Sequence, residues 1–203
     1  MWRRSLNPLV LVVIDGLDAS GKSTQAISLC RTLRKNGKTV LLRFHPSDDN
    51  IFGAEARQFL YLKGKNAHFA SAFFYMIDVI RSILFYSWQR YDCTIFVRYL
   101  MGTAYLPSPT HLFAYLFFAV IVPTSGFMFF LDVPSEEADR RIRQTRHRLE
   151  MFENLSDLKK TRRKALSLAL MGKWRIIDAS RPIAEVQKEI TQAVEPLFQN
   201  LEL

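Results

Sequence analysis

The stretch Gly16-Leu17-Asp18-Ala19-Ser20-Gly21-Lys22-Ser23 fits the spacing G-x-x-x-x-G-K-S/T at every fixed position. An apolar run at residues 9–14 comes directly before it, and a pattern typical of an amphipathic helix follows it. Strand, tight loop and helix form the context in which this spacing binds phosphate, because the glycines let successive backbone N–H groups point into one concavity. A strand-to-helix turn without a ligand is disfavoured, since motif and flanks agree. The stretch predicts an α/β fold with a phosphate-binding loop after its first strand.

The chemistry of this loop assigns roles to its side chains. Lys22 can reach the β- and γ-phosphates of a nucleotide, and the hydroxyl of Ser23 can bind Mg²⁺. The N-terminus of the following helix adds a partial positive charge. We therefore expect ATP and Mg²⁺ as ligands. The residues predicted to bind the nucleotide in this loop are Gly16, Leu17, Asp18, Ala19, Ser20, Gly21, Lys22, Ser23 and Thr24.

The composition is that of an ordinary soluble globular chain. It has 203 residues, 49% apolar and 23% charged, which predicts a single domain over residues 1–203. Lysine and arginine exceed aspartate and glutamate by 28 − 19 = 9, which favours anionic partners. A nucleotide accounts for part of this excess, and charge alone does not predict a nucleic-acid partner. Two distant cysteines, Cys30 and Cys93, have no metal-like spacing and fit a reducing, cytoplasmic compartment.

Two apolar runs superficially suggest a membrane, but neither predicts a membrane partner. The run at residues 112–122 is shorter than the ~20 residues that span a bilayer, and Pro123 follows it. We interpret it as a buried helix, with a place at a subunit interface as an option. The run at residues 9–14 is too short for a signal peptide and is ended by Asp15, so we interpret it as a buried strand.

Short apolar segments alternate with helical patterns along the chain. The predicted strands cover residues 9–14, 39–44, 94–97, 127–133 and 174–177. Helices are predicted from the loop to about residue 36, at 52–62, 67–89 and 107–122, from 135 onward, and at 156–171 and 183–198. This alternation predicts a five-stranded parallel sheet covered by helices on both faces, a three-layer α/β sandwich. Ligands bind at the carboxyl edge of such a sheet, where the loop, residues 45–50, Arg98 and Asp132 fall.

An arginine-rich segment stands at the end of the helix that follows the fourth strand. Its members are Arg140, Arg141, Arg143, Arg146 and Arg148. By itself such a cluster is typical of a solvated basic helix face. Together with a phosphate-binding loop it predicts a lid, at about residues 140–153, that closes over the phosphates and excludes water.

Taken together, these residues resemble the thymidylate kinase family. Residues 15–25 are similar to the family pattern E/D-G-x-D-x-S/A-G-K-S/T-T-Q, in which the aspartate matched by Asp18 is the narrowing feature. Arg98-Tyr99 stands in the family's Asp-Arg-Tyr element, and Ala104-Tyr105 follows it. Residues 130–134, Phe-Leu-Asp-Val-Pro, are similar to the family's fourth strand. The resemblance covers nearly the whole chain and implies the P-loop kinase form of the sandwich.

The resemblance implies an enzyme that transfers the γ-phosphoryl group of ATP to dTMP and gives dTDP. Some members carry an arginine inside the phosphate loop where this chain has Ala19, and members without it have their catalytic arginines in the lid. The expected catalytic residues are Lys22, Arg98, Arg143, Arg146 and Arg148. The family also implies a homodimer, for which the stretch at residues 67–86 is sufficiently apolar.

The resemblance further implies an acceptor site. Asp18 is expected to accept a hydrogen bond from the deoxyribose 3′-hydroxyl, and Arg98 to bind the acceptor phosphate. Tyr105 is expected to lie against the sugar and to disfavour a 2′-hydroxyl. Phe74 is the candidate for stacking on thymine, and Arg81 for the base carbonyl or the acceptor phosphate.

Some of these assignments have alternatives of equal weight. Phe74 can equally belong to the core, because aromatic helix faces are mostly core. Arg81 can equally pair with Asp78, which lies three positions away on the same helical face. On the donor side, the match at residues 177–179 places Ala179 in the loop beside adenine.

The chain departs from the family pattern at its acidic positions. In the family an acidic residue stands before the arginine and helps to organise Mg²⁺, but this chain has Val97 at that position. Asp15 is the nearest acidic residue by sequence that could replace it. The predicted metal ligands are therefore Ser23 and Asp15. His45 replaces a glutamate after strand two, and the spacing from Tyr99 to the next Ala-Tyr pair is one residue shorter than usual. These departures keep two alternatives open: a same-fold kinase for another nucleotide or deoxynucleoside, and a non-catalytic nucleotide-binding protein.

Overall fold

The computed structural model describes residues 10–60, 65–86, 91–145 and 154–196. The strands are β1 Val10–Gly16, β2 Val40–Phe44, β3 Cys93–Val97, β4 Met128–Asp132 and β5 Arg175–Asp178. They form one sheet in the order β2-β3-β1-β4-β5, and every neighbouring pair is parallel. Each predicted strand is present, with its ends shifted by no more than two residues, so the predicted α/β sheet is confirmed.

Helices connect these strands within the described ranges. They are α1 Lys22–Lys35, α2 Ile51–Leu60, α3 Lys65–Tyr86, α4 Thr110–Ile121, α5 Ser135–Thr145, α6 Leu155–Met171 and α7 Ile183–Val194. A short 3₁₀-helix, Leu100–Tyr105, was not predicted. α4 begins later than residue 107 because Ser108 precedes Pro109, and the ring of a proline disfavours helical backbone at the residue before it. The predicted ends at residues 62, 89 and 198 lie outside the described residues.

The alternation of side chains along β1 divides the core into two layers. Leu11 and Val13 belong to the cluster beneath α3, α4 and α6, whereas Val12 and Ile14 belong to the cluster beneath α1 and α7. All four are buried, as expected for a central parallel strand that is covered on both faces. This double coverage confirms the three-layer arrangement.

The strand order locates the functional edge of the sheet. The chain runs from β1 through α1 to β2 on one side, and from β4 to β5 on the other. Neighbouring strands whose connections leave in opposite directions open a crevice at their carboxyl ends, where α/β proteins bind ligands. β1 and β4 are such a pair, and the phosphate-binding loop follows β1 directly.

One helix in the described part of the chain, over residues Phe69–Tyr86 of α3, is long and apolar enough to cross a membrane by length and composition. A third of that window is buried inside the protein. Its buried positions include Asp78 and Ser82, and the carboxylate of Asp78 is hydrogen-bonded to the loop after β2. These polar contacts identify α3 as a packed helix of the sandwich.

Candidate active site

The phosphate-binding loop is compact because two of its glycines adopt backbone conformations that other residues avoid. Gly16 has φ +151°, and a Cβ atom there would lie 2.4 Å from the carbonyl oxygen of Leu131 on the neighbouring strand β4. Gly21 has φ +87° at the N-cap of α1. The loop can therefore pass close to β4 and turn directly into the helix. No acidic residue occupies the first turn of α1, so its positive end is available to an anion.

Lys22 lies inside this loop. Its side chain is only 4% exposed, its ammonium donates a hydrogen bond to the carbonyl oxygen of Leu17, and it lies 4.0 Å from the Asp18 carboxylate. Ser23 and Thr24 occupy the first turn of α1 and are exposed. The loop thus brings a cation and two hydroxyls to the place where the motif predicts phosphates and Mg²⁺.

Asp18, Arg98 and Tyr105 meet beside the loop although they are distant in sequence. Nη2 of Arg98 lies 2.5 Å from Oδ1 of Asp18, and the Tyr105 hydroxyl donates to Oδ2 at 3.0 Å. Burial alone would raise the pKa of Asp18, but the charges of Arg98 and Lys22 outweigh it and hold the pKa below its ordinary value. Asp18 is therefore an anion at neutral pH. Burial, reinforced by the charge of Asp18, raises the pKa of Tyr105, so its hydroxyl keeps its proton.

The turn that carries Arg98 is held from both neighbouring strands. Arg98 has φ +62°, a conformation that is uncommon for a residue with a side chain. Its amide donates to the carbonyl of Ile14 on β1 at 3.1 Å, and its carbonyl oxygen lies 3.0 Å from Nδ1 of His45, directly after β2. These contacts follow from the strand order, because β3 lies between β2 and β1.

Asp15 braces the same turn. Its carboxylate accepts hydrogen bonds from the amides of Gly16 at 2.9 Å, Tyr99 at 2.7 Å and Met101 at 3.2 Å. Burial raises the pKa of Asp15 despite these donors. The geometry supports a structural role for this carboxylate, and its role as a metal ligand stays a prediction.

The carboxylate of Asp78 and the guanidinium of Arg81 have separate partners. Asp78 accepts hydrogen bonds from the Ser47 amide at 2.7 Å, the Ser47 hydroxyl at 2.5 Å and the Asn50 amide nitrogen at 2.7 Å. Arg81 lies 3.5 Å from the Asp49 carboxylate. Both residues thus tie α3 to the loop after β2, instead of pairing with each other. The predicted contact of Arg81 with the acceptor stays untested.

Phe74 lies at the edge of the core. It is half-buried, packs against the cluster beneath α3, and its ring is nearly parallel to that of Phe59, with centroids 5.7 Å apart. This environment suits core packing and leaves part of the ring accessible. The stacking role on thymine therefore stays a prediction.

The described part of the arginine-rich segment lies on α5. Arg143 is exposed and pairs with Asp139 on the same helix at 2.9 Å. Arg146 and Arg148 lie outside the described residues. Arg141, which is not among the predicted site residues, donates to the carbonyl oxygens of Ala19 and Ala179 at 3.3 Å. It therefore links the phosphate-binding loop to the loop after β5, where the adenine side was predicted.

A second arginine that was not predicted supports the carboxyl edge of β4. Arg162 of α6 makes a two-point contact with Asp132, at 2.7 and 2.8 Å. This contact fixes α6 against the end of β4. The only signal for Arg162 in the sequence is its place in the basic run at residues 159–164. That signal does not distinguish it from the other basic residues of the run.

The site fits a magnesium ion that arrives with a nucleotide. Among the described residues no group of three or more histidine, cysteine, aspartate or glutamate side chains could hold a metal ion. The exposed hydroxyl of Ser23, beside the buried ammonium of Lys22, matches the usual Mg²⁺ arrangement of few protein ligands completed by substrate phosphates and water.

Comparison with known proteins identifies the family. A family model described as thymidylate kinase matches residues 14–190. A protein of Metallosphaera sedula named "Probable thymidylate kinase" is 30% identical over 189 residues, 93% of either chain. One of Archaeoglobus fulgidus with the same name is 28% identical over 205 residues, 95% of this chain and 97% of that one.

A solved structure agrees at the level of the fold. The thymidylate kinase of Candida albicans superposes with a TM-score of 0.70 at 18% identity, over 92% of this chain and 91% of that chain. The family match spans β1 to α7 and contains the loop, the Arg98 turn and Tyr105. The chain therefore belongs to the thymidylate kinase family.

Proposed function

We propose that this protein is an ATP-dependent kinase that phosphorylates dTMP and releases dTDP and ADP. The observation that carries the proposal is the meeting of Asp18, Arg98 and Tyr105 next to Lys22. This arrangement offers a guanidinium to an acceptor phosphate and a carboxylate to a sugar hydroxyl, within reach of a loop built for the donor phosphates. Family membership supports the same reaction.

The donor side would be held by the loop and by α1. Its backbone N–H groups and the positive end of α1 would bind the β- and γ-phosphates, and Lys22 would leave the Leu17 carbonyl to reach them. Ser23 would hold Mg²⁺, which when bound would neutralise the negative charge of the nucleotide phosphates. Arg141 would position the loop against Ala179 on the adenine side.

The acceptor side would be held by Arg98 and Asp18. An oxygen of the dTMP phosphate attacks the γ-phosphorus, the bond to the bridging oxygen of ADP breaks, and ADP leaves with the electron pair. The attacking oxygen is largely deprotonated at neutral pH, because the second pKa of a phosphate monoester is about 6. No protein base is required, so Val97 in place of an acid does not remove one.

The segment at about residues 140–153 would complete the site as a lid. Arg143 is exposed on α5, and its partner Asp139 lies one turn away on the same helix, so the guanidinium can exchange this surface ion pair for phosphate at little cost. Arg143, Arg146 and Arg148 would neutralise the migrating phosphoryl group within the single domain.

A coupled ADP-release assay with ATP and Mg²⁺ tests the function. The acceptors are dTMP, dUMP, UMP, CMP, AMP and thymidine, each measured with and without excess EDTA. We expect dTMP to give the highest kcat/KM, and EDTA to abolish turnover because the phosphates lose their metal. Preferred turnover of another acceptor would assign the chain to a different substrate. ATP binding without any turnover would indicate a non-catalytic protein.

We also propose that the protein is a cytoplasmic homodimer formed through the layer of α3 and α4. Large apolar side chains are exposed on both helices: Leu84 is 62% exposed on α3, and Phe113, Phe117 and Val120 are 67%, 61% and 87% exposed on α4. α4 is therefore not the buried helix that its apolar run predicted, since Tyr115 is its buried residue. The three on α4 are four and three positions apart and share one face. Such surfaces mark interfaces in soluble proteins.

Fractionation of cells tests the proposed cytoplasmic location, because recovery of the protein with the membrane fraction would contradict it.

Substituting Leu84 with aspartate is expected to convert the dimer to a monomer, because a carboxylate buried at the interface would lose its hydration. The measurement is sedimentation velocity at micromolar protein. Ile183→Asp is the matched control, since Ile183 is 66% exposed on α7 of the opposite layer. A wild-type monomer, or equal effects of both substitutions, would contradict the proposed interface.

A further inference from the structure

We propose that His45 is a positioning residue for acceptor binding: its ring holds the backbone of Arg98 in the conformation from which the guanidinium reaches the acceptor phosphate. The inference rests on the proposed role of Arg98 and adds a residue on β2's side of the site. His45 is 1% exposed, and its ring meets the Arg98 carbonyl at 3.0 Å.

The chemistry of this contact fixes the state of the ring. A carbonyl oxygen only accepts hydrogen bonds, so Nδ1 must carry the proton and donate. Burial lowers the pKa of His45 to about 4, although the nearby charge of Asp78 opposes this shift, and the ring is neutral at physiological pH. Nε2 is therefore unprotonated, and no hydrogen-bond partner for it is present among the described residues. The hydrogen bond at Nδ1 is thus directed at the Arg98 carbonyl.

His45 is itself held rigidly, which a positioning residue requires. Its amide donates to the carbonyl of Val97 at 3.0 Å, and its ring packs edge-on against Phe96 with centroids 5.2 Å apart. Two positions later, the amide and hydroxyl of Ser47 are bound to the buried carboxylate of Asp78. The donor at Nδ1 is therefore fixed between β3 and α3.

Arg98 needs this support because its backbone is in the left-handed region at φ +62°. A residue with a side chain persists there only when its surroundings determine the conformation. The amide of Arg98 is bound to Ile14, and its side chain to Asp18. Incoming phosphate competes for that side chain, so the hydrogen bonds of the amide and the carbonyl must hold the backbone. Without the His45 donor, the backbone of Arg98 would be free to move when dTMP binds, and the guanidinium would no longer be held in position.

The inference is tested with His45→Asn, His45→Gln and His45→Phe in the full chain. The amide nitrogen of asparagine can take the place of Nδ1, that of glutamine reaches the position of Nε2, and phenylalanine keeps the ring without a donor. We expect the KM for dTMP to rise roughly 5- to 20-fold in the Gln and Phe variants, the effect of one lost hydrogen bond. The KM for ATP should stay within about twofold, and the Asn variant should resemble wild type.

The KM values for dTMP and ATP decide whether His45 positions Arg98. A selective rise for dTMP that Asn rescues supports the role, and thermal midpoints near that of wild type show that the variants are folded. If the Phe variant does not fold, the contrast between Asn and Gln carries the same comparison. Equal KM values for dTMP in all variants, or parallel rises for dTMP and ATP, would overturn it. Wild-type turnover of dTMP tests the proposed function separately, and a different preferred acceptor would replace dTMP in the same comparison.

Discussion

Replacing Lys22 with alanine is expected to lower kcat for dTMP phosphorylation by about a thousandfold, because a preorganised cation at the transferring phosphate contributes at that scale. Lys22 is buried beside Asp18, so its charge is screened less by water than that of a surface lysine. The fold should survive, since Asp18 keeps Arg98 and Tyr105 as partners. The measurement is steady-state ADP release at saturating ATP and dTMP, with a thermal melt of the same preparation.

Lys35→Ala is the matched control for this experiment. Lys35 lies in the last turn of the same helix, α1, far from the loop along the chain, and it is exposed. It removes one positive charge from the protein without touching the site, so kcat should stay within about twofold of wild type. Comparable activity of Lys22→Ala and wild type would remove Lys22 from the mechanism. Equal losses in both variants would indicate that net charge, not position, matters.

The parts of the site that the sequence predicts well are those encoded locally. The phosphate-binding loop is one contiguous pattern, and its strand and helix flanks are read from apolar periodicity. Asp18, Arg98 and Tyr105 were assigned one by one from the resemblance, and the structure brings them together. The sheet brings them together, because β1 and β3 are parallel neighbours that pair from Val10 and Cys93 onward. The segments that follow the two strands therefore emerge side by side.

The contacts that the sequence did not predict depend on pairing between distant segments. His45 meets the Arg98 turn across 53 positions, and Arg141 meets Ala179 across 38. No local pattern specifies such a distance, since it arises from strand order and from how α5 packs. The spacing of Asp78 and Arg81 suggested a helical pair, but the loop after β2 offers Asp78 an amide and a hydroxyl that fit its carboxylate. Asp78 and Arg81 therefore contact the loop after β2, which is distant in sequence, and not each other.

Replacing Arg98 with lysine is expected to lower kcat/KM for dTMP by roughly a hundredfold, mostly through KM, while the KM for ATP is preserved. A lysine keeps the charge that pairs with Asp18, so the buried carboxylate is not left without a cation. It loses the planar fork, which lets a guanidinium hold phosphate oxygens and the Asp18 carboxylate at once. The measurement is initial rates over a dTMP titration at saturating ATP.

A second acceptor separates the two functions assigned to this ion pair. dTMP without its 3′-hydroxyl lacks the group that Asp18 is proposed to bind, so the wild-type enzyme should use it less well than dTMP, and Asp18→Asn should narrow that difference. Arg98→Lys should leave the ratio of the kcat/KM values for the two acceptors unchanged, because its defect lies at the phosphate.

Arg34→Lys is the control, since Arg34 donates to the Val40 carbonyl at 2.8 Å, at the amino end of β2 and away from the site. If Arg98→Lys matched wild type while Asp18→Asn did not, the acceptor phosphate would have to be bound elsewhere, and the arginines of the proposed lid segment would be the next candidates.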